Sequence, residues 1–420
     1  MKKFLKIFFF LCALCFIYLP IIFPQTKEIK LTMQEAVEMA HKHRPSLNAF
    51  KYATQASKQD EKKAMAGYLP QVTLTEQQSF QDGLKGPQNS ISVQASQLVY
   101  SFAGPLEERR IAQKVTESSK YYEETHKDLV QNQVEAAFLQ SWLLQRKNKF
   151  IEFLSKSSTE NIKKSEHQNE LDLLDKNVWM TDAATHSEKM STVYLYTDEL
   201  YNAKNQLEYL IGKPFQNDET SITLKWDSKK EITLKPLHYY YDQAIKNRKE
   251  IKQKQMEIEQ QQEYQSYYRK KYLPTVNITG QSGRSSGIGN NSIGAALSWN
   301  VFDGGANYHV QNKANANKLK AMMEKESYVQ QAKYDVQKAY YDLSSYLKQL
   351  VAKNIKLAQA KNEFILKKQQ FEIGDISKVD LETAKYNWET QKFNWLSLKI
   401  TAAVKERELY YACGYPESFN

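Results

Sequence analysis

Hydrophobic and polar positions along this chain follow two periods, and the switch between them happens twice. From Leu31 to Gly67, and again from Leu237 to Lys271, the apolar residues recur at the spacing of a short amphipathic helix. Tyr68-Leu69-Pro70 ends the first stretch and Tyr272-Leu273-Pro274 the second. Proline lacks the amide that a helix requires and disfavours helical geometry in the residue before it, so both triplets predict a helix-to-strand junction. The period then drops to two. Gln71-Val72-Thr73-Leu74-Thr75 and Thr275-Val276-Asn277-Ile278-Thr279 alternate polar with apolar or β-branched side chains, which predicts strands with one greasy side. Polar, glycine-containing loops follow at 82–87 and 283–291, and returning strands lead to Phe102 and Phe302. The expected strands are about 69–81 and 90–102 in the first copy, and about 273–283 and 292–302 in the second. Each is long enough to cross a bilayer core, which takes roughly 9–11 tilted residues.

The recurrence is a duplication. Tyr68 to Tyr272 is an offset of 204, and the same offset carries Ala40 onto Ala244, Arg44 onto Arg248 and Leu47 onto Ile251. Phe102-Ala103-Gly104 recurs as Phe302-Asp303-Gly304 at an offset of 200, and Gly212-Lys213-Pro214 as Gly414-Tyr415-Pro416 at 202. So long a period excludes a solenoid and predicts two pseudo-equivalent halves. The division is a first repeat over 26–214, a linker over 215–236, a second repeat over 237–416 and a tail over 417–420.

The longest helical patterns begin after Gly104 and Gly304. In the first copy Ile111, Val115, Ser118, Tyr122, Thr125, Leu129, Asn132, Ala136, Leu139 and Leu143 make a heptad seam. In the second, Val329, Ala332, Val336, Ala339, Leu343, Tyr346 and Leu350 do the same. Gly304 to Gly374 spans about 105 Å as a helix, and the return from Asp380 to Gly414 about 51 Å. One long helix beside two shorter ones stacked end to end therefore predicts a wall, with the irregular 215–235 segment near mid-height. In the first copy Glu166 stands where the tip glycine is expected, and the return to Gly212 is longer.

Four strands cannot close a barrel, because a spanning barrel needs about eight or more and lipid tolerates no open edge. Obligate assembly follows. Two chains would supply eight strands and three would supply twelve.

Composition agrees with extended helices rather than a large globular core. Only 41% of the 420 residues are apolar, Gly and Pro number 14 and 10, and mean hydropathy is −0.67. The 27 tyrosines suit walls with one wet side, including the aromatic girdles of membrane barrels. Lys2, Lys3 and Lys6 precede an apolar run through Phe23, so residues 1–25 read as a secretory signal peptide. Past it only Cys413 remains, which excludes an intramolecular disulfide and suits a small packed residue. The formal charge of +10 is spread along helices where Lys and Glu alternate, with no basic module for nucleic acid.

Sites for chemistry are lacking in the sequence. There is no Walker loop, Gly-x-Ser-x-Gly, paired-cysteine zinc pattern or His-Glu-x-x-His, so neither an enzyme, a cofactor nor a metal site is expected. His41 and His43 fall on different helix faces, and Gly283, Gly287 and Gly289 join two strands rather than opening a helix.

The doubled Tyr-Leu-Pro, the doubled Phe-x-Gly, and Phe371-Glu372-Ile373-Gly374 followed by Val379-Asp380-Leu381-Glu382-Thr383-Ala384 together resemble the TolC-like outer membrane efflux proteins. The resemblance implies a mainly α fold with a membrane β-barrel part: a duplicated unit of long coiled-coil helices plus two β-hairpins. It implies a homotrimer with a 12-strand barrel in outer membrane lipid and an α-helical tunnel in the periplasm. Such a protein is the outer membrane component of a tripartite efflux or type I secretion system, with a periplasmic adaptor (membrane fusion) protein and an inner-membrane pump as partners. The helical hairpin at Gly374 would be the periplasmic tip, and Asp380 takes the first aperture-acid position while Thr383 occupies the second. Asp172 and Asp175 would add charge near the same mouth. The competing expectation is a secreted or periplasmic coiled-coil scaffold without a pore.

Overall fold

A computed structural model of the chain describes residues 29–80, 88–171, 175–214, 222–226, 231–285 and 288–415. The expected signal segment and Asp172 lie outside the described residues. In chain order the elements are β1 (Ile29–Thr32), α1 (Met33–His43), α2 (Pro45–Ala66), β2 (Gln71–Ser79), β3 (Gln88–Ser101), α3 (Pro105–Glu170) and α4 (Lys176–Ile211). They continue with β4 (Ile222–Lys225), α5 (Leu237–Asn247), α6 (Lys249–Lys270), β5 (Thr275–Ser285), β6 (Ile288–Ser298), α7 (Ala306–Glu372) and α8 (Lys378–Ala412). Leaving aside β1 and β4, the second half repeats the first.

Each opening helix, expected to be continuous, is broken in two. In the first repeat Arg44 leaves the helical region at φ −67°, ψ 119° because Pro45 follows it. In the second, Arg248 takes φ −60°, ψ 124° with no proline after it. Packing supplies the reason. Gly414, at φ +74°, lies so close that a Cβ there would stand 2.9 Å from the Arg248 amide nitrogen. Gly212, at φ +75°, makes the same approach to Arg44, its missing Cβ falling 2.9 Å from the Arg44 Cα. The end of each returning helix thus wedges the kink of its own repeat.

The core gathers around these kinks in two pseudo-equivalent clusters. Ala40, Leu47, Val130, Val134, Leu207 and Ile211 belong to one; Ala244, Ile251, Ala332, Val336, Leu409 and Cys413 belong to the other. The heptad seam of α7 is buried where expected, at Ala332, Val336, Ala339 and Leu343. That of α3 is not. Ile111, Leu139 and Leu143 are buried but Tyr122 is exposed, and Val130, Val134, Phe138 and Ser141 fill the centre instead. A helix flanked by α1, α2, α4, α6 and α8 buries several faces, so a single stripe does not describe it.

The expected irregular linker holds β4, paired in parallel with β1 from Ile29↔Ile222 to Thr32↔Lys225. Leu31 and Leu224 enter the first core cluster from this small sheet, and Trp226 meets Trp142 edge-on at 5.2 Å. The first helical hairpin also turns later than Glu166. It turns after Glu170, so the returning helices α4 and α8 are nearly equal, at 36 and 35 residues.

The larger sheet is antiparallel in the order β2-β3-β5-β6. The second hairpin is tighter than the expected 283–291 loop. Gly283 pairs with Asn290 and Gly289 with Arg284 inside the ladder, because backbone pairing makes no demand on side chains in a Gly/Ser/Asn-rich stretch. The first hairpin's expected loop, 82–87, lies outside the described residues. The sheet does not close in the single chain.

Candidate functional site: an open wall and two helical tips

Register gives the sheet two chemically distinct faces. Val72, Leu74, Ile91, Val93, Val276, Ile278, Ile293 and Leu297 occupy one face, as the pairings Leu74↔Val93 and Val276↔Leu297 require. Thr73, Thr75, Ser92, Gln94, Asn277, Gln281 and Ser292 occupy the other. Nothing among the described residues covers the apolar face: Leu74 is 69% exposed, Ile293 85% and Leu297 69%. A contiguous apolar surface of this kind marks contact with another protein or with lipid. Its edges, β2 and β6, have no strand neighbour among the described residues, leaving rows of amides and carbonyls without ladder partners. No helix among the described residues is long and apolar enough to cross a membrane.

The helices continue the sheet as a strip. On the sheet side of the kinks they lie in the order α2-α3-α6-α7, and on the far side α4-α3-α8-α7. The sheet-side order is that of the strands these helices adjoin. The strip therefore has the same two edges as the sheet, and both carry bare apolar residues: Leu319, Met323, Val351 and Ile355 on α7, Tyr194, Leu195 and Tyr201 on α4.

At the strip-to-sheet junctions the two repeats use one device with different side chains. Tyr68, Leu69 and Pro70 form the turn between α2 and β2, and Gln97 donates to the Tyr68 carbonyl at 3.3 Å. Tyr272, Leu273 and Pro274 form the turn between α6 and β5, and Trp299 Nε1 donates to the Tyr272 carbonyl at 2.8 Å. The missing Cβ of Gly67 would meet Pro105 Cγ at 2.7 Å, so the α2 end and the α3 start approach closely there. Phe102 and Gly104 bridge β3 to α3, the ring of Phe102 lying edge-on to Tyr100 at 4.9 Å. The second connection is longer than expected. β6 ends at Ser298, before Phe302, because Asp303 turns the chain into α7 by accepting hydrogen bonds from the Gly305 and Asn307 amides at 3.0 and 2.9 Å. Phe302 is left 83% exposed, and Gly304 takes φ +68°.

At the far tips the repeats diverge. Gly374 ends α7 in the left-handed region at φ +80°, where its amide donates to the Phe371 carbonyl and that of Asp375 to the Gln370 carbonyl. Ser377 and Asp380 then form a capping box: Ser377 Oγ and N donate to Asp380 Oδ2 at 2.7 and 3.2 Å, and the Asp380 amide donates back to Ser377 Oγ. These bonds hold the exposed Asp380 carboxyl below the usual carboxylate range. In the first repeat Asp175 caps α4, accepting from the Asn177 amide at 2.7 Å. Between the helices of this hairpin Ser165 donates to Asp182 and Ser158 pairs with His186 Nδ1 at 2.9 Å. The second hairpin uses a Phe364–Trp388 stack at 5.1 Å instead.

A buried polar seam between the repeats had no signal in the sequence, because its members are far apart in the chain. Asp128 on α3 pairs with Lys249 on α6 at 3.0 Å. Burial raises the Asp128 carboxyl to about 6, Lys249 opposing the shift and Glu250 and Glu124 adding to it. Glu135 accepts from Gln131 at 2.9 Å and from the Tyr415 hydroxyl at 3.2 Å, and burial pushes it up too. His41 contacts the Lys127 carbonyl at 3.3 Å, and burial lowers its pKa. Cys413 is buried against the Tyr240 carbonyl, its thiol pushed up to about 12 by desolvation. No group of three metal-ligating side chains occurs among the described residues.

The model of the family described as outer membrane efflux protein matches residues 240–415, nearly the whole second repeat. The Campylobacter jejuni CmeC outer membrane channel superposes with a TM-score of 0.72 at 15% identity, over 91% of this chain and 85% of that one. CusC gives 0.71 at 16%, over 91% and 92%. The open state of the Neisseria gonorrhoeae MtrE outer membrane channel gives 0.70 at 16%, over 91% and 88%. No curated protein matches the chain in sequence. The resemblance to the TolC-like outer membrane efflux proteins read from the sequence is thus borne out: the second repeat carries the family's pattern, and over 91% of its length the chain shares the fold of these solved proteins. The matched family and these neighbours are channels rather than enzymes.

Proposed function

We propose that three copies of this chain close into a passive conduit across the outer membrane and periplasm, the outer membrane component of a tripartite efflux or type I secretion system. The supporting observation is the agreement of strand order and helix order in a strip whose edges are open at every level. Joining β6 of one copy to β2 of the next removes both edges, and three copies supply twelve strands. The apolar face then meets outer membrane lipid and the polar face lines the bore, the alternation that a barrel requires. The helices extend the bore into the periplasm, where their tips meet a periplasmic adaptor protein and through it an inner-membrane pump.

On this reading Gly374, Asp380 and Asp175 sit at the periplasmic aperture, and the carboxylates favour cations. Asp380 would then serve twice, as a helix cap and as an aperture charge. A pore-free coiled-coil scaffold is the competing function, and the bare apolar sheet face speaks against it. Fractionation decides between them: an outer-membrane species that resists SDS and shifts on heating is expected, whereas a soluble periplasmic monomer would reject the conduit.

A further inference from the structure

The seam between the two repeats offers a pattern for the seam between copies. Within one chain α3 lies against α6 and β3 against β5. Four charged contacts tie the helices: Glu107–Lys270 at 2.9 Å, Glu108 with the Tyr267 hydroxyl at 3.2 Å, Lys114–Glu259 at 2.8 Å and Asp128–Lys249 at 3.0 Å. By the repeat, α7 stands for α3 and α2 stands for α6. These two helices bound the open strip.

Contacts inside each repeat fix which residues correspond. Gln113 donates to Glu61 at 3.1 Å, and Gln265 to Asn315 at 3.0 Å. Arg44 donates to Gln133 at 3.3 Å, and Arg248 to Asp335 at 2.9 Å. Both pairs of contacts give an offset of 202 along the long helices (113 to 315, 133 to 335) and 204 along the opening helices (61 to 265, 44 to 248). Applied to the seam, that register replaces Lys114–Glu259 by Ala316 against Gln55, and Asp128–Lys249 by Gln330 against Pro45. Glu107–Lys270 becomes His309 against Ala66, Glu108–Tyr267 becomes Val310 against Lys63, and Glu117, which also pairs with Lys114, becomes Leu319.

We propose that copies of this chain join through α7 of one and α2 of the next in the α3–α6 register, and that no ion pair spans this inter-copy seam at the positions where the intrachain seam is ionic. The proposal rests on the conduit reading and specifies its contact. The surface is free for it: Pro45, Gln55, Ala316 and Gln330 are exposed, while Lys249 and Glu259, at the matching positions of α6, are partly covered. Leu319 is 54% exposed with no cover of its own. Edge pairing of β6 with β2 holds the copies at the sheet, and apolar contacts that salt does not screen hold them along the helices. Ion pairs then distinguish the right intrachain neighbour from the next copy, since Lys270 and Lys249 of α6, which pair with Glu107 and Asp128, are replaced on α2 by Ala66 and Pro45.

The test is cross-linking in the assembled protein. Chains carrying both Gln55→Cys and Ala316→Cys, treated in outer membranes with a bismaleimide that spans a Lys–Glu pair, should yield a covalent ladder ending at the full oligomer. Cys413 is buried and stays silent. A control pair, Lys63→Cys with Ala316→Cys, is displaced eight residues or about 12 Å along α2 and should yield none. An intact SDS-resistant oligomer without the ladder, or with cross-linking through the control pair instead, overturns the register. Dissociation of the oligomer between about 0.1 and 1 M salt overturns a seam without ion pairs. Absence of any oligomer defeats the conduit reading itself, and this inference with it.

Discussion

The two repeats agree at their kinks and disagree at their tips. Around the kinks, position for position, Arg44 and Arg248 leave the helix, Gly212 and Gly414 press on them, and Val134 and Val336 are buried at the same offset. At the tips one hairpin is laced by Ser165, Asp182, Ser158 and His186, and the other is closed by Phe364, Trp388 and a Ser377–Asp380 cap. Where one backbone packs on another no alternative side chain fits, so the kinks tolerate little change. The tips project beyond the core, and each can follow a different neighbour.

The largest effect should come from forcing a side chain into a kink. Gly212→Ala or Gly414→Ala places a Cβ 2.9 Å from backbone atoms at a left-handed φ, which costs roughly 3 kcal/mol or more. Thermal or denaturant melting should register that loss, and the amount of assembled protein should fall. Gly374→Ala shares the positive φ but meets no atom within 4 Å, so its cost should be nearer 1 kcal/mol. Equal losses at Gly374 and Gly414 would break the contrast between kinks and tips.

Next in size is the Asp128–Lys249 pair. The folded-state carboxyl, near 6, lies above its unfolded value of 3.8. The native chain therefore binds more protons than the unfolded chain between these values. This group gains stability as pH falls through 6 and loses it as pH rises, by at most about 3 kcal/mol. Asp128→Asn should flatten that part of the melting profile between pH 7 and 4, and an unchanged profile would show that the seam does not titrate there.

At the second tip, Ser377→Ala removes the donor to Asp380 and should destabilise the start of α8 by about 1 kcal/mol. If Asp380 is also an aperture charge, Asp380→Asn should reduce cation preference in conductance while Ser377→Ala leaves it intact. Matching effects of the two variants would reduce Asp380 to a cap. The smallest change is expected at a junction, where Trp299→Phe loses the bond to the Tyr272 carbonyl and about 1 kcal/mol or less.

Local rules made much of this fold legible in the sequence. Pro70 and Pro274 announced the helix-to-strand turns, and the alternation from Val72 to Leu74 and from Val276 to Ile278 announced the sheet faces. Features set by distant contacts were not legible. The break at Arg248 has no proline to mark it and is imposed by Gly414, which follows more than a hundred residues later. The β1–β4 pair joins two short segments from opposite ends of the first repeat and its linker, and the turn after Glu170 has no glycine to signal it. The tip carboxylates Asp380 and Asp175 were found by motif, yet their hydrogen bonds show helix capping, a role that a motif alone does not reveal.

Single-channel recording of the detergent-extracted outer-membrane oligomer in a planar bilayer tests the central claim most directly. Three strips joined edge to edge predict discrete, long-lived conductance steps from the SDS-resistant species. An oligomer of intact fold that inserts and passes no current would contradict a continuous bore.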